Sequence, residues 1–67
     1  MRINLYNYHN EALEKAEDMI FEYWEMDTGI EYADIVDVII NESEKEDITR
    51  DEAIMVVEEL EDNLGYL

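Results

Sequence analysis

Glu14, Asp18 and Glu22 recur every four residues, which on a helix sets them about 6 Å apart along one line at ~1.5 Å rise per residue. Carboxylates at such spacing offer a limited choice of chemistry. Paired acids can move protons, but acids are everywhere in this chain and no nucleophile–base pair or oxyanion element accompanies them. Enzymatic activity is therefore not expected. Acids can also bind calcium, through alternating oxygen ligands around a central glycine. The stretch Glu44–Glu52 has the acids and lacks that glycine. What remains is electrostatic: a row of fixed negative charge can occupy a basic surface.

Other chemistry is excluded by count. His9 is the single histidine and there is no cysteine, so neither a zinc site nor a disulfide can be assembled. His9 is expected at the surface or as a helix cap. No metal and no cofactor are expected.

Twenty acids face four bases in 67 residues, for a net charge of −16. High charge with low hydrophobicity would mean disorder, but 48% of this chain is apolar. That combination predicts a folded body in an acidic coat. Such a coat destabilises the compact state by self-repulsion, and charges of mixed sign would solubilise it equally well. Lys15 and Lys45 are the only lysines. The chain is rich in Ile, Asn and Tyr, a usage typical of AT-rich coding, in which lysine is ordinarily abundant. Scarce lysine against that background argues for selected negative charge. Salt adaptation would lean instead on Asp, Ala and Val.

The elements that must carry these acids can be read from periodicity. A first helix is predicted from Tyr8 to Met26. At ~100° per residue, Ala12, Leu13, Ala16, Met19, Ile20, Tyr23 and Trp24 share one arc. Glu11, Glu14, Asp18, Glu22 and Glu25 share the opposite one. Thr28 and Glu31 read as a capping box opening a second helix that buries Tyr32, Ala33, Val36, Ile39 and Ile40. Asn41–Asp47 is polar and reads as a connection. Thr49 and Glu52 form a second capping box, opening a third helix with an apolar stripe of Ala53, Val56, Val57, Leu60 and Leu64. Gly65 suits the left-handed residue that ends a helix. The first six residues read as a short extended arm, and Tyr6 and Tyr8 are expected to be exposed. Lys15 can pair with Glu11, and Arg50 with Glu46, each for a few tenths of a kcal/mol. The fold expected is all-α: a small three-helix bundle with an N-terminal arm, residues 1–67 forming one domain. No apolar run is long enough for a membrane span, no signal peptide is evident, and a cytoplasmic location is expected.

A compact chain of this length has a radius of gyration near 11 Å and a diameter of roughly 28 Å. Sixteen net charges over that length give about one per 1.75 Å, against one per ~1.7 Å for duplex DNA. A groove that binds DNA gains affinity by exchanging its Lys and Arg side chains for counterions on phosphates. A dense carboxylate array offers a similar gain but cannot be cut or unwound.

Each acidic face also carries one apolar residue. Phe21 stands beside Glu14, Glu17 and Glu25; Val38 among Glu31, Asp34 and Asp37; Met55 among Asp51, Glu58 and Asp62. Hydrophobic groups ringed by charge are what an interface anchor needs, with desolvated contact at the centre and steering at the rim. The partner-binding residues expected are therefore Glu14, Asp18, Phe21, Glu22 and Glu25, supported by Asp34, Asp37, Val38, Asp51, Met55, Glu58 and Asp62.

In size, acidity, lack of cysteine and helical pattern, the whole chain resembles small phage-encoded inhibitors that imitate DNA, among them anti-restriction and anti-CRISPR proteins. The resemblance is one of character and rests on no shared motif, so it assigns no residue a role. It implies a non-enzymatic inhibitor in the cytoplasm of a bacterial cell, seated in the nucleic-acid groove of a Cas effector or restriction enzyme. The partner would be a basic nucleic-acid-binding protein, with no direct contact to nucleic acid or membrane. The alternatives are an acidic module that binds a basic protein surface without mimicry, and a salt-adapted soluble domain. The large apolar share is also compatible with a homodimer.

Overall fold

The computed structural model describes residues 5, 8–26, 29–43 and 47–66. It contains three helices: α1 (Asn10–Glu25), α2 (Tyr32–Glu42) and α3 (Arg50–Asn63). Among the described residues there is no strand. The expected all-α bundle is the observed one. No helix among these residues is long and apolar enough to cross a membrane. The N-terminal arm lies largely outside the described residues, as does Tyr6.

The helices run up, down and up. Lys15 in the first half of α1 meets Glu42 at the end of α2, and the last turns of α1 and α3 meet through Trp24 and Glu61. Each helix buries one stripe. Ala12, Leu13, Ala16 and Ile20 come from α1, Ile35, Val36 and Ile39 from α2, and Ala53, Val56, Val57 and Leu60 from α3. Alanine at three of these positions lets the helices approach closely, while isoleucine and valine fill the space between. The radius of gyration is 11.0 Å and the body measures 32 × 21 × 20 Å.

Helix ends follow the capping logic in part. His9 caps α1, its Nδ1 accepting from the Glu11 N–H at 3.3 Å. Thr49 caps α3, its hydroxyl accepting from the Glu52 N–H at 3.1 Å. Gly65 closes α3 at φ +87°, a conformation that costs glycine nothing and other residues about 1 kcal/mol. The start of α2 departs from expectation. Gly29 sits at φ +69°, outside helical space, so the helix cannot begin there. Glu31 is the cap instead, and the Asp34 carboxylate accepts its N–H at 3.1 Å. Thr28 lies outside the described residues.

Other expectations are corrected. Tyr8 is buried and packs in the core, and its N–H donates to the Leu5 carbonyl at 3.1 Å. On α2, Ile35 is buried and Ala33 exposed, so the buried arc is rotated by roughly 50° from the expected one. Lys15 pairs with Glu42 at 2.9 Å rather than with Glu11, and Arg50 with Asp37 at 3.0 Å; Glu46 is not among the described residues. A cation that bridges two helices screens two negative surfaces, which a pair within one helix does not.

The net charge of −16 is confined to this small body. Raising ionic strength from about 0.01 to 0.15 M shortens the Debye length from roughly 30 to 8 Å, within the span of the molecule. The melting temperature, followed by circular dichroism, is expected to rise over that range. A flat response would show that repulsion is not limiting stability.

Candidate functional site

Helix geometry turns one row of acids on α1 and one on α3 away from the core. On α1, Glu11, Glu14, Asp18, Glu22 and Glu25 are all exposed and form a ridge about 21 Å long at 1.5 Å per residue. Among the described residues, Glu14, Asp18, Glu22 and Glu25 make no ion pair. On α3, Asp51, Met55, Glu58 and Asp62 are exposed and form a second ridge, roughly 16 Å long. The acids of α2 are held in other ways. Asp34 completes the α2 cap and Asp37, half-buried, holds Arg50.

The three apolar residues also divide. Phe21 is 39% and Met55 36% exposed, as an anchor requires. Val38 is half-buried and packs against the core, because the rotation of α2 that buries Ile35 draws Val38 inward with it. It is not a surface anchor.

Sequence periodicity did not reveal the most organised part of the surface. Phe21, Tyr23, Trp24, Tyr32 and Tyr66 meet where α1 ends, α2 begins and α3 ends. Trp24 stacks on Tyr66 with centroids 5.1 Å apart and planes 1° from parallel. Phe21 meets Tyr66 edge-on at 5.9 Å. Tyr23 stands edge-on to Trp24 at 6.0 Å and to Tyr32 at 5.7 Å. All four separations lie in the range where aromatic pairs attract, for about 0.5–1.5 kcal/mol each beyond area burial.

A carboxylate organises this cluster from beneath. Glu61 is 4% exposed. One of its oxygens accepts from the Trp24 indole N–H at 2.9 Å and the other from the Tyr32 hydroxyl at 3.1 Å. A buried carboxylate is costly unless its oxygens are hydrogen-bonded, and here both are. No described cation takes part. Trp24 itself is 42% exposed, although its position on the apolar arc predicts burial. It stands at the edge of that arc, some 70° from the centre, where an indole can cover the core with one part and meet solvent with the rest.

Burial, and next the Glu61 carboxylate beside it, push the Tyr32 phenol well above the ordinary tyrosine range. The hydroxyl therefore remains a donor to Glu61 through neutral and moderately alkaline pH. Because the folded value is raised, the contribution is complete below the unfolded value of about 10 and is lost as pH climbs beyond it. In an ultraviolet phenolate titration, Tyr32 is expected to ionise only above that range, together with loss of helicity. Tyr32→Phe should abolish this coupling.

Beside the cluster an open cleft of about 360 Å³ is lined by Tyr23, Trp24, Met26, Gly29 and Ile30. A second hollow of about 330 Å³ is lined by His9, Glu11, Ala12, Lys15, Asn41 and Glu42; it carries both signs of charge and its cation is already paired with Glu42. No protein-family model, curated protein or solved structure matches this chain.

Proposed function

We propose that this protein is a non-enzymatic inhibitor that occupies the nucleic-acid groove of a basic protein, of the kind found in Cas effectors and restriction enzymes, within the cytoplasm of a bacterial cell. The observation that carries the reading is the α1 ridge. Its exposed carboxylates are held by a rigid helix, face outward, and are left uncompensated by the described cations, which are spent between helices. Glu22 and Glu25 also oppose the dipole of α1, since they sit at its negative end; local stability does not select them. A groove lined with Lys and Arg would accept such a ridge as it accepts phosphates. Phe21 and Met55 supply apolar contact within the acidic field.

The test is competition. Purified Cas effectors and restriction endonucleases are loaded with a fluorescent duplex and titrated with this protein, with release followed by anisotropy. The expected result is displacement from at least one of them, weakening as salt rises. A ternary complex that retains the duplex would replace mimicry with the acidic-module alternative. Failure to bind any of them would overturn the reading for this class of target.

A further inference from the structure

The aromatic cleft at the end of the bundle has a definite electrostatic setting. Among the described residues, segments 17–34 and 55–66 carry ten carboxylates and no Lys, Arg or His. Both described lysine and arginine side chains that make ion pairs, Lys15 and Arg50, lie toward the other end. The cleft is therefore an apolar, aromatic surface in a part of the molecule where, among the described residues, every charged side chain is a carboxylate. A second copy of the chain would bring like charge against like and is disfavoured; nucleic acid and anionic lipid are disfavoured for the same reason.

Trp24 forms one wall of this cleft. Its indole N–H donates to the buried Glu61 side chain at 2.9 Å, and donating that bond enriches the ring in electron density. Tyr66 stacked on the ring fixes its orientation. An electron-rich, pre-oriented indole with open surface is the best of the side chains for holding a cation over its face. Among protein cations, a guanidinium fits better than an ammonium, because it is planar, stacks on aromatic rings and sheds water more easily.

We propose that the cleft lined by Tyr23, Trp24, Met26, Gly29 and Ile30 receives an arginine side chain of the basic partner, stacked on Trp24. This rests on the reading that the partner presents a basic surface, and it names the contact that distinguishes arginine from mere positive charge. The α1 ridge attracts any cation; the cleft selects among them.

Trp24 is the only tryptophan, so its fluorescence reports on the cleft directly. The probes are a short arginine–glycine peptide and its lysine–glycine counterpart of equal length and charge. Saturable change in Trp24 emission is expected with the arginine peptide, together with affinity about two- to five-fold higher than for the lysine peptide. Met26 is 88% exposed at the cleft. Met26→Lys should therefore leave the fold intact while removing the arginine preference, with lysine-peptide binding reduced only by the change in net charge. Trp24→Phe, read by calorimetry, should weaken the preference in the same direction. Equal affinities of the unaltered protein for the two peptides, or arginine binding without any response of Trp24, would overturn the proposal. Neither result bears on duplex displacement, so this inference and the groove-occupying reading can fail separately.

Discussion

Glu61→Ala is expected to lower the melting temperature by roughly 8–24 °C. The carboxylate is buried and accepts from both Trp24 and Tyr32. Hydrogen bonds to a charged group contribute about 1.5–3 kcal/mol each where they are desolvated. Part of that is recovered by water, because Trp24 is 42% exposed, leaving a net cost of about 2–3 kcal/mol. For a domain of 60–100 residues, 1 kcal/mol corresponds to roughly 4–8 °C. A chain this short has a total stability of only a few kcal/mol, so the loss removes a large share of it. The Trp24 emission should shift to the red at the same time as the indole enters water. Tyr32→Phe removes one donor and leaves the other, and should cost about 1 kcal/mol. The double variant should be no less stable than Glu61→Ala alone by more than a few tenths of a kcal/mol, since Tyr32 has lost its acceptor already. Should Glu61→Ala melt within about 2 °C of the parent, the aromatic cluster does not depend on this carboxylate.

Helix positions were legible in the sequence because apolar spacing and caps agreed. Thr49, Gly65 and the α1 stripe, Trp24 aside, behave as their residue types dictate. Apolar spacing alone misplaces the buried arc of α2, because it weights unequal side chains equally. Ala33 and Ile40 drew the α2 arc to one side, although alanine gains little by burial and Ile35 gains much. The acidic ridges of α1 and α3 were legible for the same reason as the core: they are its complement on each helix. Glu61 was not, because a glutamate next to Leu60 and Asp62 reads as one more exposed acid. A signal was present nonetheless. Glu61 lies four residues after Val57 and three before Leu64, which places it on the margin of the buried stripe. The chain's indole and its phenols needed acceptors near the core. Only the tertiary arrangement, with three helix ends converging, brings Trp24 and Tyr32 to that one carboxylate.

Stability and affinity should respond with opposite signs when the α1 ridge is neutralised. In the variant Glu14→Gln, Asp18→Asn, Glu22→Gln and Glu25→Gln, shape is kept and the net charge falls in magnitude by four from −16. None of these side chains caps a helix or makes an ion pair among the described residues, so folding loses nothing specific. It gains relief from repulsion and, at Glu22 and Glu25, relief from the unfavourable end of the helix dipole, about 0.3–1 kcal/mol per charge at low salt. The melting temperature should rise by several degrees. Binding to an effector that releases its duplex should weaken by about 2–4 kcal/mol, or roughly 30- to 1000-fold, if each carboxylate meets a cation in the groove. The dependence of affinity on salt should flatten in parallel, because fewer charges are exchanged. Neutralising Asp51 and Glu58 on α3 provides the comparison. Equal losses from both ridges would mean that the groove grips the bundle from two sides, and a loss confined to α1 would place that helix along the phosphate path. A variant that becomes more stable while displacing duplex as well as the parent would reduce the acidity to a coat. Opposite signs would show that the carboxylates destabilise the body that displays them and that binding is the physical reason to keep them.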